Sequence, residues 1–209
     1  MSEHRSGDGF VAYEVVTVTS GTAVAAADRV VEEMRAAAGR RAGFRTARVH
    51  VAPDGPVVIV RSVWDDEAAH LGHREAAPLA AVADGREALV CGGSPAPGIV
   101  GPAAAAEPGI VAVAIRYLGG QRSAREVLRL LRLSGEWKRA FPGFVRADPC
   151  LSADGRLFVN YAQWVDAEAH RAWMADPRIG EGQHEIAAHE TAAPRYFLGR
   201  TVARVDAPR

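Results

Sequence analysis

Residues 154–170 read DGRLFVNYAQWVDAEAH, and they decide the fold because their pattern occurs a second time earlier in the chain. Residues 54–70 read DGPVVIVRSVWDDEAAH. The two stretches share an Asp-Gly pair, a tryptophan, an aspartate and an Ala-His pair, each displaced by 100 residues, since 164 − 64 = 100. A repeat with a fixed offset indicates that one structural unit occurs twice.

The repeat extends through most of both halves without a gap. Further identities at the same offset are Gly9/Gly109, Val11/Val111, Ala12/Ala112, Gly43/Gly143, Phe44/Phe144 and Ala47/Ala147. Because chance identities would not keep one register over this length, we predict two homologous domains, residues 9–91 and residues 109–205. Residues 92–108 are rich in glycine, proline and alanine, and we expect a linker there with room for one short strand.

Each half shows the same order of predicted elements. An apolar run predicts a first strand, and a helix follows at about residues 22–40 or 122–140. Two strands joined at the Asp-Gly turn come next, and then a second helix that begins at Asp66 or Asp166. The second half ends in a further strand over residues 195–205. The order β-α-β-β-α-β is that of a ferredoxin-like unit.

A ferredoxin-like unit covers only one face of its sheet with helices, so the other, apolar face must be buried elsewhere. A second unit can cover that face, sheet against sheet. We therefore predict an α+β fold in which two fused ferredoxin-like units form a dimeric α+β barrel within one chain. The space between sheet and helices in each half leaves room for a small pocket.

Composition limits the class of protein. Hydrophobic residues make up 48% and charged residues 24%, and 25 Lys and Arg residues balance 25 Asp and Glu residues. This balance argues against a nucleic acid or an anionic membrane surface as partner. The N-terminal MSEHRSGDGF contains no apolar signal segment, so we expect a cytoplasmic protein. Cys91 and Cys150 lie in no CxxC or Cys/His spacing, so we expect neither a disulfide scaffold nor a metal site.

The two copies of the third strand differ at one informative position. Because side chains alternate between the faces of a strand, Phe158, Asn160, Ala162 and Trp164 share one face. Asn160 stands where Val60 stands in the first copy. An unpaired amide on so apolar a face costs about 1–3 kcal/mol. The amide therefore either bonds to a neighbouring protein group or points into a pocket, where it holds a polar ligand atom.

The stretch DGRLFVNYAQWVDAEAHR at 154–171, followed by ADPR at 175–178, resembles the antibiotic biosynthesis monooxygenase family. It is most similar to the cofactor-independent, quinone-forming oxygenases of aromatic polyketide pathways in actinomycetes. The Asn-x-x-x-Trp element is the more specific part of the likeness. The fold alone is less specific, because it also serves cyclases, haem-degrading enzymes and proteins without known chemistry.

The resemblance implies that an electron-rich phenol, anthrone or naphthol reacts directly with O2 and gives a quinone, without metal or bound cofactor. It places Asn160 and Trp164 in catalysis, with the amide stabilising an oxyanion and the indole N–H donating to a peroxide. His170 is the nearest candidate base, although a solvated helix position would also suit a histidine. Further candidates for contact with a flat aromatic polyketide are Phe158, Trp173 and Tyr117.

Some positions depart from the family's pattern. The relatives often have tyrosine where His170 stands and histidine where Cys150 stands. They also have an arginine late in the second helix, where Gln183 or His184 stands here. The first half lacks the asparagine, so we expect one active pocket per chain, in the second half, with the first half as a structural partner.

Four other functions stay open from the sequence. A haem-binding or haem-degrading protein would need an axial histidine, and His170 lies closer to Trp164 than that histidine does in haem-degrading relatives. A cyclase or accessory protein would use Asn160 and Trp164 only to hold its ligand. A flavin-fed oxygenase would take a dissociable reduced flavin from a partner, since no GxGxxG follows a strand. A purely structural barrel would leave Asn160 unexplained. Further homodimerisation is also open.

Overall fold

The computed structural model describes residues 9–208, except for the side chain of Ser134. Most of the N-terminal segment in which we expected no signal sequence, residues 1–8, lies outside the described residues. Contacts divide the chain into two compact units. The first unit comprises the chain up to Pro95 together with the residues from Gly199 onward, and the second unit comprises Ala96–Leu198.

The elements of the first half begin and end close to the predicted positions. They are β1 (Phe10–Val18), α1 (Ala23–Arg40), β2 (Phe44–Val51), β3 (Val57–Trp64), α2 (Glu67–Ala76), α3 (Leu79–Val82) and β4 (Gly85–Pro95). The remaining elements are β5 (Ile99–Val100), β6 (Ile110–Leu118), α4 (Gln121–Lys138), β7 (Phe144–Leu151), β8 (Leu157–Trp164), α5 (Ala167–Met174), α6 (Pro177–Ala187) and β9 (Glu190–Asp206).

In the first unit, β3 lies between β1 and β2 in an antiparallel arrangement. β1 also pairs with β4, and β2 pairs with the C-terminal part of β9. Trp64 is the last residue of β3, and it lies opposite Phe10 on one side and Phe44 on the other.

In the second unit, β8 has the same central position between the antiparallel strands β6 and β7. β7 also pairs with β5, and β9 lies on the far side of β6. Trp164 lies opposite Ile110 and Phe144, which matches the register of Trp64 in the first unit. The predicted α+β class and the two ferredoxin-like units are therefore confirmed.

A local signal sets the beginning of the second helix, α2 or α5, in the same way in both units. Asp66 Oδ1 accepts a hydrogen bond from the backbone N–H of Ala69 over 2.8 Å, and Asp166 accepts from Ala169 over 2.8 Å. Each bond satisfies one of the free N–H groups at a helix N-terminus. The second helical region of the second half is split into α5 and α6, because Pro177 begins a new helix capped by Asp176.

The predicted domain bounds differ from the division by contacts. Gly92–Pro95, placed in the linker by the sequence, completes β4, and the short strand Ile99–Val100 lies within the remainder of that stretch. The predicted second domain extends to residue 205, whereas contacts assign residues from Gly199 to the first unit.

The two units pack their cores differently. In the first unit, one cluster joins buried residues of β1, α1, β2, β3 and α3, including Val60 and Trp64. In the second unit, Trp164 and Phe158 share a face of β8 but belong to separate clusters. Asn160 stands between them on that face. No helix in the described part of the chain is long and apolar enough to cross a membrane.

Candidate active site

A cavity of about 150 Å³ lies within the second unit. The four residues predicted to share a face of β8 all line it. Two neighbouring strands and the helices α4, α5 and α6 supply most of the remaining wall. The principal lining side chains are Ala112, Ala114, Arg116, Trp137, Lys138, Phe158, Asn160, Ala162, Trp164, His170, Trp173, Arg178, Gln183 and Tyr196.

Five of the six predicted site residues meet at this cavity, namely Phe158, Asn160, Trp164, His170 and Trp173. Tyr117 is the exception. β6 lines the cavity with Ala112, Ala114 and Arg116, and because strand residues alternate between faces, Tyr117 lies on the opposite face of β6. The structure therefore gives Tyr117 no contact with the cavity.

Trp164 is 1% exposed and packed among aromatic rings. Its ring centroid lies 5.1 Å from Phe144 and 5.6 Å from Trp173. The buried Nε1–H of Trp164 has no hydrogen-bond partner in the described part of the chain. Since buried donors are nearly always paired, this N–H is a donor that a ligand in the cavity can satisfy.

Asn160 is half-buried and lines the same cavity. Its cross-strand neighbours are Ala114 on β6 and Pro149 on β7, and neither carries a side-chain donor or acceptor. Among residues 9–208, no hydrogen bond is found for the amide of Asn160. The amide therefore does not bond to a neighbouring protein group within the described residues, and it lies at the cavity.

His170 lies at the side of Trp164, with the two rings edge to face and their centroids 5.7 Å apart. Burial lowers the pKa of His170 below its usual 6.5, and the charge of Lys138 lowers it further. A histidine with a lowered pKa is neutral at pH 7, so the ring can accept a proton.

Lys138, at the end of α4, is a cavity residue that the sequence reasoning missed. Its side chain is buried, and Nζ lies 4.9 Å from the ring centroids of Phe144 and Trp173 and 5.7 Å from that of Trp164. Burial lowers its pKa to about 8. The repeat offered a signal, because Lys138 stands where the first half has Ala38.

Arg116 was also missed, and it introduces a second buried cation at the cavity. Its Nη1 donates to Glu190 Oε1 over 2.5 Å, and its Nη2 donates to Gln183 Oε1 over 2.6 Å and to the Tyr196 hydroxyl over 3.2 Å. Gln183 is one of the positions at which the family resemblance implies an arginine. Here β6 brings a guanidinium group to that region instead.

The wall near Lys138 is built from stacked planar groups. Trp137 stacks on Trp173 with ring centroids 4.2 Å apart, and the Arg178 guanidinium lies 4.0 Å from the centroid of Trp137. Such faces bind flat aromatic ligands. Within residues 9–208, no three His, Cys, Asp or Glu side chains are grouped to hold a metal ion.

Comparison with known proteins gives a family match for the second unit. Residues 110–185 match the family model described as antibiotic biosynthesis monooxygenase. Tetracenomycin-F1 monooxygenase of Streptomyces glaucescens is 44% identical over 59 residues, which are 28% of this chain and 51% of that protein. The chain thus spans about half the length of this curated relative.

Solved structures extend the likeness in fold to nearly the whole chain. An anthrone oxidase-like protein has a TM-score of 0.75 at 13% identity, covering 97% of this chain and 94% of that chain. A ferredoxin-fold protein from Listeria monocytogenes, described as related to antibiotic biosynthesis monooxygenases, has a TM-score of 0.57 at 8% identity. That match covers 93% of this chain and 96% of the Listeria protein, and at these identities the two likenesses concern the fold.

Proposed function

We propose, on the premise that residues 110–185 form an antibiotic biosynthesis monooxygenase domain, that the protein is an oxygenase of aromatic polyketide biosynthesis. It converts a polycyclic phenol, anthrone or naphthol and O2 into a quinone and water, without metal or bound cofactor. The observation that carries the proposal is a pair of donors on one face of β8 beside an aromatic-walled cavity. For these donors, Asn160 and Trp164, residues 9–208 provide no hydrogen-bond partner.

The proposed reaction balances without an external reductant. Loss of a proton from the substrate gives an electron-rich anion, which passes one electron to O2. Recombination forms a C–O bond and a peroxide, and cleavage of the O–O bond with loss of water leaves a carbonyl group. One oxygen atom ends in the quinone and the other in water, and the substrate supplies all the electrons.

Three polar groups of the cavity have a role in this reaction sequence. Neutral His170 takes the proton. The Asn160 amide donates to the oxygen on which negative charge develops, and the Trp164 Nε1–H donates to the peroxide. Residues four apart on one strand are separated by about 13 Å between Cα atoms, so a flat polycycle lies along β8 between the two donors.

The aromatic wall supports this chemistry in a second way. Trp164 and Phe158 are almost fully buried, and Trp173 is 7% exposed. Rings packed this closely exclude bulk water from the reacting carbon, and they strengthen hydrogen bonds to a developing anion.

The experiment is oxygen uptake and quinone absorbance with metal-stripped, colourless protein and an anthrone in air-saturated buffer. We expect one O2 consumed per quinone formed. Trp164→Phe keeps an aromatic side chain and removes the indole N–H, so the turnover rate falls by about 100-fold. Trp64→Phe is the matched change in the first unit and leaves turnover within about twofold, since Trp64 is not among the residues that line the cavity.

Three results would overturn the proposal. Turnover only after addition of reduced flavin would identify a flavin-fed oxygenase. Binding without oxygen uptake under either condition would favour a cyclase or an accessory protein. A Soret band in the purified protein would identify a haem protein.

A further inference from the structure

Lys138 is a buried cation for which the described part of the chain provides no counter-ion. The side chain is 9% exposed, and its Nζ is surrounded by the faces of Phe144, Trp164 and Trp173. Burial alone accounts for the lowered pKa of its ammonium group, with no carboxylate acting on it. Buried charges in proteins are normally paired, so an anion bound in the cavity would supply the missing partner of the ammonium group.

The other cations of the cavity already have partners or lie in solvent. Arg116 is paired with Glu190 and Arg178 with Asp176, over 2.5 and 2.6 Å respectively. Arg132 is exposed at the cavity wall. Lys138 is therefore the buried cation of this cavity that remains available to a ligand.

The corresponding position of the first unit shows that the charge is not needed for the fold. There the residue is Ala38, and the carboxylate of Glu14 bonds to His70 in the interior. In the second unit Ala114 replaces that carboxylate. Relative to the first unit, the second unit therefore has one more cation, Lys138, and one fewer anion beside its cavity. This difference in charge favours a negatively charged ligand.

We propose that Lys138 forms an anion subsite that pairs with an ionised oxygen of the substrate, a phenolate or a carboxylate. The pocket thereby selects acidic aromatic polyketides over neutral polycycles of the same shape. The inference rests on the proposed function, because it names the substrate class of that site. An ammonium group beside a ring phenolate also holds the substrate in the electron-rich form that can reduce O2.

The test compares the binding of an anion and of its neutral analogue. 2-Hydroxy-1,4-naphthoquinone is ionised at neutral pH, and 2-methoxy-1,4-naphthoquinone is its uncharged methyl ether. Both are titrated by quenching of tryptophan fluorescence and checked by calorimetry. The wild-type protein binds the anion about tenfold or more tightly than the ether, since a buried charge pair contributes that much selectivity.

Substitutions of Lys138 test whether its ammonium group causes the preference for the anion over the ether. Lys138→Met binds both probes with equal affinity, and Lys138→Arg retains a preference for the anion. Arg132→Met, a change of charge at the cavity wall, alters the preference by less than about twofold because exposed charges are screened by solvent. Thermal unfolding confirms that each variant is folded, and Lys138→Gln provides a second neutral variant.

A further pair of probes shows which kind of anion binds, and the outcomes distinguish failure of the anion subsite from failure of the proposed reaction. 2-Naphthoate compared with its methyl ester tests a carboxylate instead of an enolate or phenolate. If Lys138→Met and Lys138→Gln keep the full preference for both anions, the subsite is wrong even where anthrone oxidation succeeds. If the wild-type protein shows the preference but oxidises no anthrone, the proposed reaction fails and the subsite stands.

Discussion

In the first unit the tryptophan at the end of the central strand is paired, and in the second unit its counterpart is not. Trp64 Nε1 donates to Ser62 Oγ over 2.8 Å. Trp164 has Ala162 at the position of that serine, and its N–H has no partner among the described residues. The difference between Ser62 and Ala162 thus decides whether the indole N–H has a hydrogen-bond acceptor two residues earlier on the same strand.

The histidines that follow each tryptophan differ in the same sense. His70 Nε2 lies 3.3 Å from Glu14 Oε1, and both side chains are buried. At the equivalent position of Glu14 the second unit has Ala114, so His170 faces the cavity without this carboxylate. In the first unit, Trp64 and His70 are thus bonded to other side chains of the protein. In the second unit, their counterparts Trp164 and His170 line the cavity.

The largest change should come from filling the cavity as the first unit fills its own interior. Ala114→Glu introduces on β6 the carboxylate that the first unit has at Glu14. This carboxylate enters the cavity, which His170 and Lys138 also line, and it attracts the Lys138 ammonium group. We expect turnover to fall by more than about 1000-fold, equivalent to about 4 kcal/mol in activation free energy. Quinone absorbance measures the loss, and Ala114→Gln separates added volume from added charge. Unchanged turnover in both variants would mean that substrate binds elsewhere.

The next largest effect concerns the charge of Lys138 and the pH dependence of stability. The folded state lowers the pKa from 10.5 to about 8, so below pH 8 the lysine is charged in both states and folding carries the full cost of burying the charge. Between about pH 8 and 10.5 that cost disappears, because the folded lysine is then neutral. The wild-type protein should therefore gain on the order of 3 kcal/mol relative to Lys138→Met over this range.

Urea unfolding of both proteins at a series of pH values measures this difference. His170 does not interfere, since burial and the charge of Lys138 lower its pKa below 6.5, and Asp176 raises the pKa of Arg178 above its usual value. A constant difference in the free energy of unfolding from pH 7 to 10.5 would show that the ammonium group is solvated.

A smaller effect tests the tryptophan pairing. Ser62→Ala leaves the Trp64 N–H unpaired and should cost about 1–3 kcal/mol in the free energy of unfolding, with turnover unchanged. Ala162→Ser offers Trp164 the missing acceptor, so it should stabilise by about 0.5–1.5 kcal/mol while turnover falls. Opposite signs of the two stability changes support the comparison, and destabilisation by both substitutions would refute it.

The smallest effect is expected where the units are alike. Asp66→Ala and Asp166→Ala each remove the same N-cap hydrogen bond, so each should cost about 1 kcal/mol in stability. Chemical unfolding gives the two values. A difference larger than the experimental error would show that the helices α2 and α5 are held by different local interactions.

Most of the fold was predictable because the signals are local and occur twice. The Asp-Gly turns, the aspartate caps and the period-two strands each appear in both halves, so each copy supports the reading of the other. Gly43 and Gly143, both at positive φ, also precede the second strand in each half. The split into α5 and α6 follows from Pro177, whose ring cannot continue a helix begun before it.

The site was predictable only in part. Asn160 and Trp164, which both line the cavity, were predicted because β8 could be compared with its copy β3 and with a family pattern. Lys138 and Arg116 lie on other elements, far from that strand in sequence, and tertiary packing alone brings them to the cavity. The prediction that Tyr117 lines the pocket was wrong, because neighbouring residues of β6 point to opposite faces of the sheet and Arg116 faces the cavity.

The most direct measurement is quinone formation from an anthrone by the wild-type protein, Asn160→Val and Val60→Ala. Asn160→Val gives the second unit the residue that the first unit has, and Val60→Ala is a change at the matching buried position. We expect turnover to fall about 100-fold in Asn160→Val and to stay within about twofold in Val60→Ala, with both variants folded. Equal turnover in wild type and Asn160→Val would contradict the assignment of the site to the second unit.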